Sequence, residues 1–219
     1  MSPTETLGAN LGHQRIAGAA NGVALTTSIG FTGFHRGTEF ITLTPRNFST
    51  AVVYRYAFCP YLAILKADTA NGLLTRPIDY TTVAQDGSTD AASRVDLSSL
   101  AAGRYVYVGS PVPFRGVDID VQATNSTAST VITVRNWDGS AWADISDTDG
   151  TSSSVSLDQD GQITWTVPTL WPLATLASIA SRNGDVIAPQ FEWRDVPAFW
   201  TRWEWDQALD SSVTLNHML

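Results

Sequence analysis

The sequence contains few of the residues that most often carry chemistry: one cysteine, one lysine, four glutamates and three histidines among 219 residues. The lone Cys59 excludes a disulfide within the chain and a cysteine-rich zinc site. We expect Cys59 to be a small buried hydrophobe. There is no basic segment, and the net charge of −8 argues against binding of nucleic acid or of anionic lipid.

Long apolar runs are also missing, and none approaches the roughly 20 residues that a membrane-spanning helix needs. Residues 1–10 lack the basic and apolar regions of a signal peptide. We therefore expect a protein that has no membrane partner and is made in a cytoplasm.

The residues that are abundant favour strands. Thr, Val and aromatic residues are common, whereas long straight-chain helix formers are scarce. From Arg104 onward, short alternating segments recur about every ten residues between turns of Gly, Asp and Pro, which predicts an all-β, antiparallel β-sandwich of jelly-roll type. The clearest of these predicted strands are residues 105–108, 117–122, 163–167 and 199–205.

Residues 171–182 have the spacing of a short helix, and we predict no other. Pro172 suits the first turn, and Leu173, Leu176, Ala177 and Ala180 share a face. The last ten residues are predicted to form an edge strand or a tail, and residues 155–157 a weak strand.

We divide the chain into an arm (1–36), an N-terminal β subdomain with a connector (37–102) and the sandwich (103–219). The first part is punctuated by glycine and is either a disordered tail or an extended arm that orders on a partner. We favour the arm, because spaced apolar residues could anchor it to a shell. These anchors are Ile16, Leu25, Ile29, Phe31 and Phe34.

The strongest local signal is Asp138-Gly139 between two alternating runs, which predicts a β-hairpin over residues 131–145. A two-residue turn would place Arg135 opposite Trp142, and a four-residue loop would place Trp137 opposite Trp142. Both registers sort the side chains identically, because only a one-residue slip exchanges the faces. The aliphatic side chains should meet the core, and Arg135 and both tryptophans should lie on an outer, polar face.

Eight tryptophans are many for this length, and alternation assigns Trp165 to the core. Three interpretations remain open for Trp137 and Trp142. They could stack on the sugar rings of a glycan. They could be covered by another subunit, since aromatic residues and arginine are enriched in interfaces. Or Arg135 and a neighbouring loop could cover them within the chain, with a cation–π contact.

We predict no catalytic site and no cofactor. Two histidines lie in the first 36 residues and one near the last residue, so no Ser/His/Asp arrangement can be proposed. Glu192 and Glu204 could serve as the acid and base of a glycosidase only if the fold brought a second carboxylate to a suitable distance.

We predict no metal site either. Asp147 and Asp149 before Gly150, with Asp144 nearby, would suit the oxygen preference of Ca²⁺. The complete EF-hand spacing is absent, and Asp-Gly also occurs simply because hairpins turn there.

Five segments in order carry a wider pattern: a strand of alternating Tyr and Val that ends in Gly, a Trp-Asp-Gly-Ser-x-Trp hairpin, Asp-Gly-Thr, a Gly-x-x-x-Trp-x-x-Pro strand and a Trp-x-Arg strand. The segments are residues 105–117, 134–142, 149–151, 161–168 and 200–202. Together they resemble a β-sandwich module of structural proteins of tailed bacteriophages, over roughly residues 104–206.

The resemblance implies a virion structural protein, such as a capsid decoration (cement) protein, a head fibre, or a neck or baseplate component. Such a protein would be made in the host cytoplasm and lie on the capsid surface, bound to the major capsid protein and to copies of itself, commonly as a homotrimer. The group has no agreed catalytic residues, so none are carried over. The main rival is a glycan- or receptor-binding module of a fibre, tail or baseplate, with Trp137, Trp142 and Arg135 as contacts.

Overall fold

The computed structural model of the chain describes residues 62–67, 77–86 and 89–219. Several predictions therefore lie outside the described residues. They are the arm and its anchors Ile16, Leu25, Ile29, Phe31 and Phe34, the part of the predicted N-terminal β subdomain before residue 62, and Cys59.

Eleven strands and one α-helix make up most of the regular structure in these described ranges. The strands are β1 (Ala63–Ala67), β2 (Ile78–Asp79), β3 (Val95–Asp96), β4 (Tyr105–Ser110), β5 (Gly116–Ala123), β6 (Ile132–Trp137), β7 (Trp142–Asp144), β8 (Thr148–Asp149), β9 (Gly161–Thr164), β10 (Phe199–Trp205) and β11 (Thr214–Met218). Six form one antiparallel sheet in the order β2-β1-β4-β10-β6-β7, and five form a second in the order β3-β11-β5-β9-β8. The predicted all-β, antiparallel, sandwich-like fold is confirmed.

The main core lies between the two sheets. Val108 of β4 and Val134 of β6 pack there with Ile119 of β5 and Ile163 of β9. A second apolar cluster covers the opposite face of the six-stranded sheet, and it contains Trp200. Because this sheet is buried on both faces, β10 carries tryptophans on both of its sides.

The described residues before 103 belong to the same two sheets rather than to a layer of their own. β1 pairs with β4, and β3 pairs with β11. Lys66, the one lysine of the chain, is buried and donates from Nζ to the carbonyl oxygen of Asp96 at 3.0 Å, which joins the two sheets. The boundary that we placed at residue 102 does not separate two bodies within the described residues.

The helix α1 (Leu176–Asn183) begins later than predicted, because Thr175 caps it. Thr175 Oγ1 accepts a hydrogen bond from the backbone N–H of Ser178 at 3.1 Å. Pro172 and Leu173 therefore precede the helix, and Leu173 is exposed, which corrects the predicted first turn and apolar face. No described helix is long and apolar enough to span a bilayer.

Two further elements differ from expectation. β11 was predicted to be an edge strand or a tail, but it lies inside the five-stranded sheet between β3 and β5. Residues 155–157 form a turn instead of a weak strand, with Leu157 fully buried at φ 65°. Sequence alternation does not report the position of a strand within a sheet, because a terminal and a central strand can bury the same face.

Candidate functional site

The predicted hairpin is formed by β6 and β7 around a four-residue loop. Trp137 pairs with Trp142, which selects the second of the two predicted registers. Asp138 Oδ1 accepts hydrogen bonds from the backbone N–H groups of Ala141 and Ser140, each at 2.7 Å. These hydrogen bonds lower the pKa of Asp138, and the one from the backbone N–H of Ala141 has the largest effect. Gly139 occupies the left-handed region at φ 103°, so the loop needs glycine there.

Both tryptophans lie on the outer face as predicted, but that face is covered rather than open. Trp137 is 2% exposed and packs in the apolar cluster that contains Leu176 and Ile179 of α1. Of the three interpretations of Trp137, burial within its own chain is the one observed. Trp142 is half-buried, with its ring centroid 5.4 Å from that of Trp137. A contact of Trp142 with a glycan or a subunit stays a prediction.

The cation beside the rings is Arg202 of β10, not Arg135. Its guanidinium carbon lies 4.3 Å from the ring centroid of Tyr105 and 5.4 Å from that of Trp142. Arg135 instead donates from Nε to Glu204 Oε1 at 2.6 Å. The predicted kind of contact, cation–π, is present, but the predicted arginine was wrong. Arg202 lies directly opposite Arg135 on the neighbouring strand β10, a pairing that the sequence does not reveal.

Glu204 holds both arginines. Arg202 Nη2 donates to its second oxygen at 3.1 Å, so each carboxylate oxygen accepts from a different guanidinium. The hydrogen bond to Glu204 raises the pKa of Arg135, although burial partly opposes it. Both oxygens of Glu204 therefore accept hydrogen bonds from arginine side chains of the same sheet.

The carboxylates proposed for Ca²⁺ also serve local hydrogen bonds. Asp147 Oδ1 accepts from the backbone N–H of Val134 at 2.8 Å, and Asp144 Oδ1 from that of Ser146 at 2.7 Å. Asp149 Oδ1 accepts from Thr151. Within the described ranges, no three His, Cys, Asp or Glu side chains are grouped so that they could hold a metal ion.

The segments that carry the resemblance contact one another. Gly109 of the first segment faces Trp200 of the last, and a Cβ atom at Gly109 would lie 2.5 Å from the indole ring. The glycine is therefore required by the tryptophan on the neighbouring strand. Arg202 of the last segment lies over Tyr105 of the first and Trp142 of the hairpin.

The third and fourth segments meet in the same way. The backbone N–H of Gly150 donates to the carbonyl oxygen of Gln162 at 2.9 Å, and a Cβ at Gly150 would lie 2.6 Å from that oxygen. The fourth segment also contacts the first, because Trp165 Nε1 donates to the carbonyl oxygen of Phe114 at 3.1 Å. The five segments thus form the framework of the sandwich.

Sequence reasoning missed one surface, which we call the apolar end. It consists of four exposed side chains on loops that meet through the ring contacts of Phe114 with Trp165 and Trp171: Val112, Val167, Leu170 and Leu173. The signal was present, because the chain has no ionisable side chain from Gly161 to Ser181. It was misread because Leu173 was assigned to the buried face of a helix that begins only at Leu176.

Comparison of the chain with protein-family models, with curated proteins and with solved structures finds no match. What the chain does is therefore inferred from its own residues.

Proposed function

We propose that this chain is a non-enzymatic structural protein of a tailed-phage virion, of the capsid decoration type. In this role it would bind the major capsid protein of an assembled head and stabilise the shell. One observation carries the proposal: the five segments of the resemblance, spread over about a hundred residues, contact one another in the sandwich. The pattern is that of a structural module, not of a reaction site.

The chemistry of the described polar groups supports the same role. Glu204 pairs with two arginines, and the carboxylates considered for Ca²⁺ accept hydrogen bonds from backbone N–H groups. Such groups stabilise loops and strands, because their oxygens accept hydrogen bonds from the protein itself. A decoration protein needs a stable body and a contact surface, and the sandwich supplies both.

The proposal is tested on particles purified from lysates of the source strain. Quantitative mass spectrometry should find on the order of hundreds of copies per particle, as expected for a subunit that repeats over a symmetric shell. Particles that lack the chain should lose heat and osmotic resistance, and added purified protein should rebind and restore it. Absence from particles, or a copy number of about six or twelve as in a single ring, would contradict capsid decoration.

Glycan binding is the second candidate, and one observation favours it. The side chain of Trp142 is half-buried beside Arg202, and the exposed part of its ring could stack on a sugar ring. Its indole N–H is buried and has no acceptor among the residues that the structure describes. Trp142→Ala would then abolish binding of the purified chain to host surface polysaccharide, whereas the matched control Trp193→Ala, at another half-buried tryptophan, would retain it. Equal binding by both variants would exclude Trp142 as the sugar contact.

A further inference from the structure

One asparagine of the described chain combines features that favour a chemical change of its side chain. Asn183 is exposed, it is the last residue of α1, and a glycine follows it. The other asparagines in the described ranges are buried, and none of them precedes a glycine: Asn125, Asn136 and Asn216. Asn183 therefore differs from them both in its access to water and in the residue that follows.

The chemistry depends on that following residue. The backbone nitrogen of Gly184 can attack the side-chain carbonyl carbon of Asn183, which closes a five-membered succinimide ring. The new N–C bond forms as the C–NH₂ bond breaks, and the proton of the glycine N–H leaves with the ammonia. Water then opens the ring at either of its two carbonyl groups, which leaves aspartate or isoaspartate. Glycine favours ring closure, because it has no Cβ to hinder the approach of its nitrogen.

The fold withholds the attacking nitrogen while the last turn of α1 is closed. Gly184 adopts the left-handed conformation at φ 77°, and its N–H donates to the carbonyl oxygen of Ala180. The N–H of Asp185 donates to the same carbonyl oxygen at 2.8 Å. One acceptor thus holds both N–H groups at the end of the helix, so ring closure has to wait until this turn opens.

Little else holds the turn closed. Residues 181–184 are exposed, and no atom of another part of the chain lies within 4 Å of where a Cβ at Gly184 would be. α1 has eight residues, and a helix this short depends on its packing and its caps rather than on its own stability. Helix ends open at a much lower free energy than a core does. The turn can therefore open while the sandwich stays folded.

The product would disturb the helix that covers Trp137. Aspartate or isoaspartate at position 183 places a negative charge beside Asp185 at the C-terminal end of α1, where the helix dipole is also negative. Isoaspartate in addition inserts one methylene group into the backbone, which breaks the geometry of the cap. Leu176 and Ile179 of α1 belong to the same apolar cluster as Trp137, so a loosened helix exposes that cluster.

We propose that Asn183 is a modification site, at which the chain deamidates through a succinimide formed with Gly184 at a rate set by the opening of the last turn of α1. The proposal does not depend on the virion role or on glycan binding, since it rests on the helix and its cap alone.

The test is peptide mapping by mass spectrometry of the purified full chain, incubated folded at mildly alkaline pH and sampled over time. Trypsin releases residues 183–194 as one peptide, because Arg182 precedes it and Arg194 ends it. We expect its deamidated forms, aspartate and isoaspartate, to accumulate while the three buried asparagines stay intact. An intact Asn183 in the folded chain, at times when the same chain unfolded in urea has deamidated there, would overturn the proposal.

The dependence on helix opening is tested at the opposite cap. Thr175→Ala removes the oxygen that accepts from the N–H of Ser178, which weakens the helix and should raise the deamidation rate about fivefold. Thr175→Ser is the matched control, because serine keeps an accepting oxygen, and it should react at the rate of the parent chain. Equal rates in the two variants would also overturn the proposal, since the reaction would then not follow the opening of α1.

Discussion

The two ends of the sandwich hold their loops by opposite means. At the apolar end, the loops after β4 and β9 pack on aromatic rings and contain the prolines. At the other end, the loops after β5, β8 and β10 are closed by carboxylate and amide side chains that accept hydrogen bonds. We call this the polar end and define it by Asn125, Asp158, Asp206 and Asp210.

Asp158 shows how the polar end works. Its two oxygens accept from the backbone N–H groups of Ser153, Ser154 and Val155 and from both serine hydroxyls, at 2.7–3.2 Å. These hydrogen bonds lower the pKa of Asp158 well below its usual range, and the one from the backbone N–H of Ser153 has the largest effect. Asp206 Oδ1 similarly accepts from the backbone N–H of Val131 at 2.8 Å.

Asn125 ties three loops together and is almost completely buried. Its Nδ2 donates to the carbonyl of Ser156 at 3.0 Å, and its Oδ1 accepts from the backbone N–H groups of Thr127 and Asp210. The difference between the ends follows. Acceptors at the polar end are used within the chain, whereas side chains of the apolar end are exposed with nothing described that covers them. One end is closed by its own hydrogen bonds, and the other presents exposed apolar side chains.

The largest effect should come from removing one of the aromatic rings on which the apolar end packs. We expect Trp171→Ala to lower the free energy of unfolding by about 3–5 kcal/mol, because a buried indole with its hydrogen bond is replaced by a cavity. Denaturant titration followed by circular dichroism measures it. Trp193→Ala, at a half-buried tryptophan, is the control and should cost less. Equal losses of unfolding free energy in the two variants would show that Trp171 contributes no more to stability than a half-buried tryptophan elsewhere.

A smaller loss is expected at the polar end. Asn125→Ala leaves the backbone groups of Ser156, Thr127 and Asp210 without partners, which should cost about 2 kcal/mol in the same titration. Asn183→Ala at an exposed position of α1 should change the free energy of unfolding by less than about 0.5 kcal/mol. If Asn125→Ala were equally silent, the amide would not be what joins these loops.

Acid should separate the two ends without any mutation. The pKa values of Asp158 and Asp210 are lowered in the folded protein, so these carboxylates contribute stability above about pH 4 and lose it as the pH falls through their folded values. Hydrogen exchange, corrected for intrinsic rates, should show amides near Ser153–Val155 and Ser212 losing protection first. Residues 165–175 should keep theirs, since no carboxylate lies in that segment. Loss of amide protection at both ends at the same pH would contradict this difference between the two ends.

The smallest effect is expected from the exposed side chains themselves. In dilute protein, Leu170→Ser with Leu173→Ser should change the free energy of unfolding by no more than about 0.5 kcal/mol, because both side chains face solvent. Thermal unfolding of this variant measures it, beside the control variant Val131→Ser, Val186→Ser, which changes two exposed side chains elsewhere. A loss of several kcal/mol would mean that Leu170 and Leu173 are part of the packed fold and not of the exposed surface.

The sequence predicted well what depends on neighbouring residues and poorly what depends on distant ones. Asp138-Gly139 and strand alternation placed Trp137, Trp142 and Trp165 on the correct faces. Alternation does not say whether an outer face is covered, so the burial of Trp137 beneath α1 was not predicted. The dependence of Gly109 on Trp200 is equally invisible, because ninety residues separate two groups that the sheet brings into contact.

The start of α1 illustrates the competition between local signals. Pro172 favoured a first turn at residue 171, but the side chain of Thr175 satisfies an N–H of the helix and sets its beginning. The four residues that precede this cap include Leu173, which is thereby left in solvent. Part of the apolar end thus results from the position of one capping threonine.

The number of copies of the chain in purified particles tests most directly whether it decorates a capsid. Quantitative mass spectrometry against a labelled standard of the purified chain measures it. We predict on the order of hundreds of copies per particle, because a decoration protein repeats with the symmetry of the shell. Absence of the chain from the particles, or about six or twelve copies as in a single ring, would contradict capsid decoration.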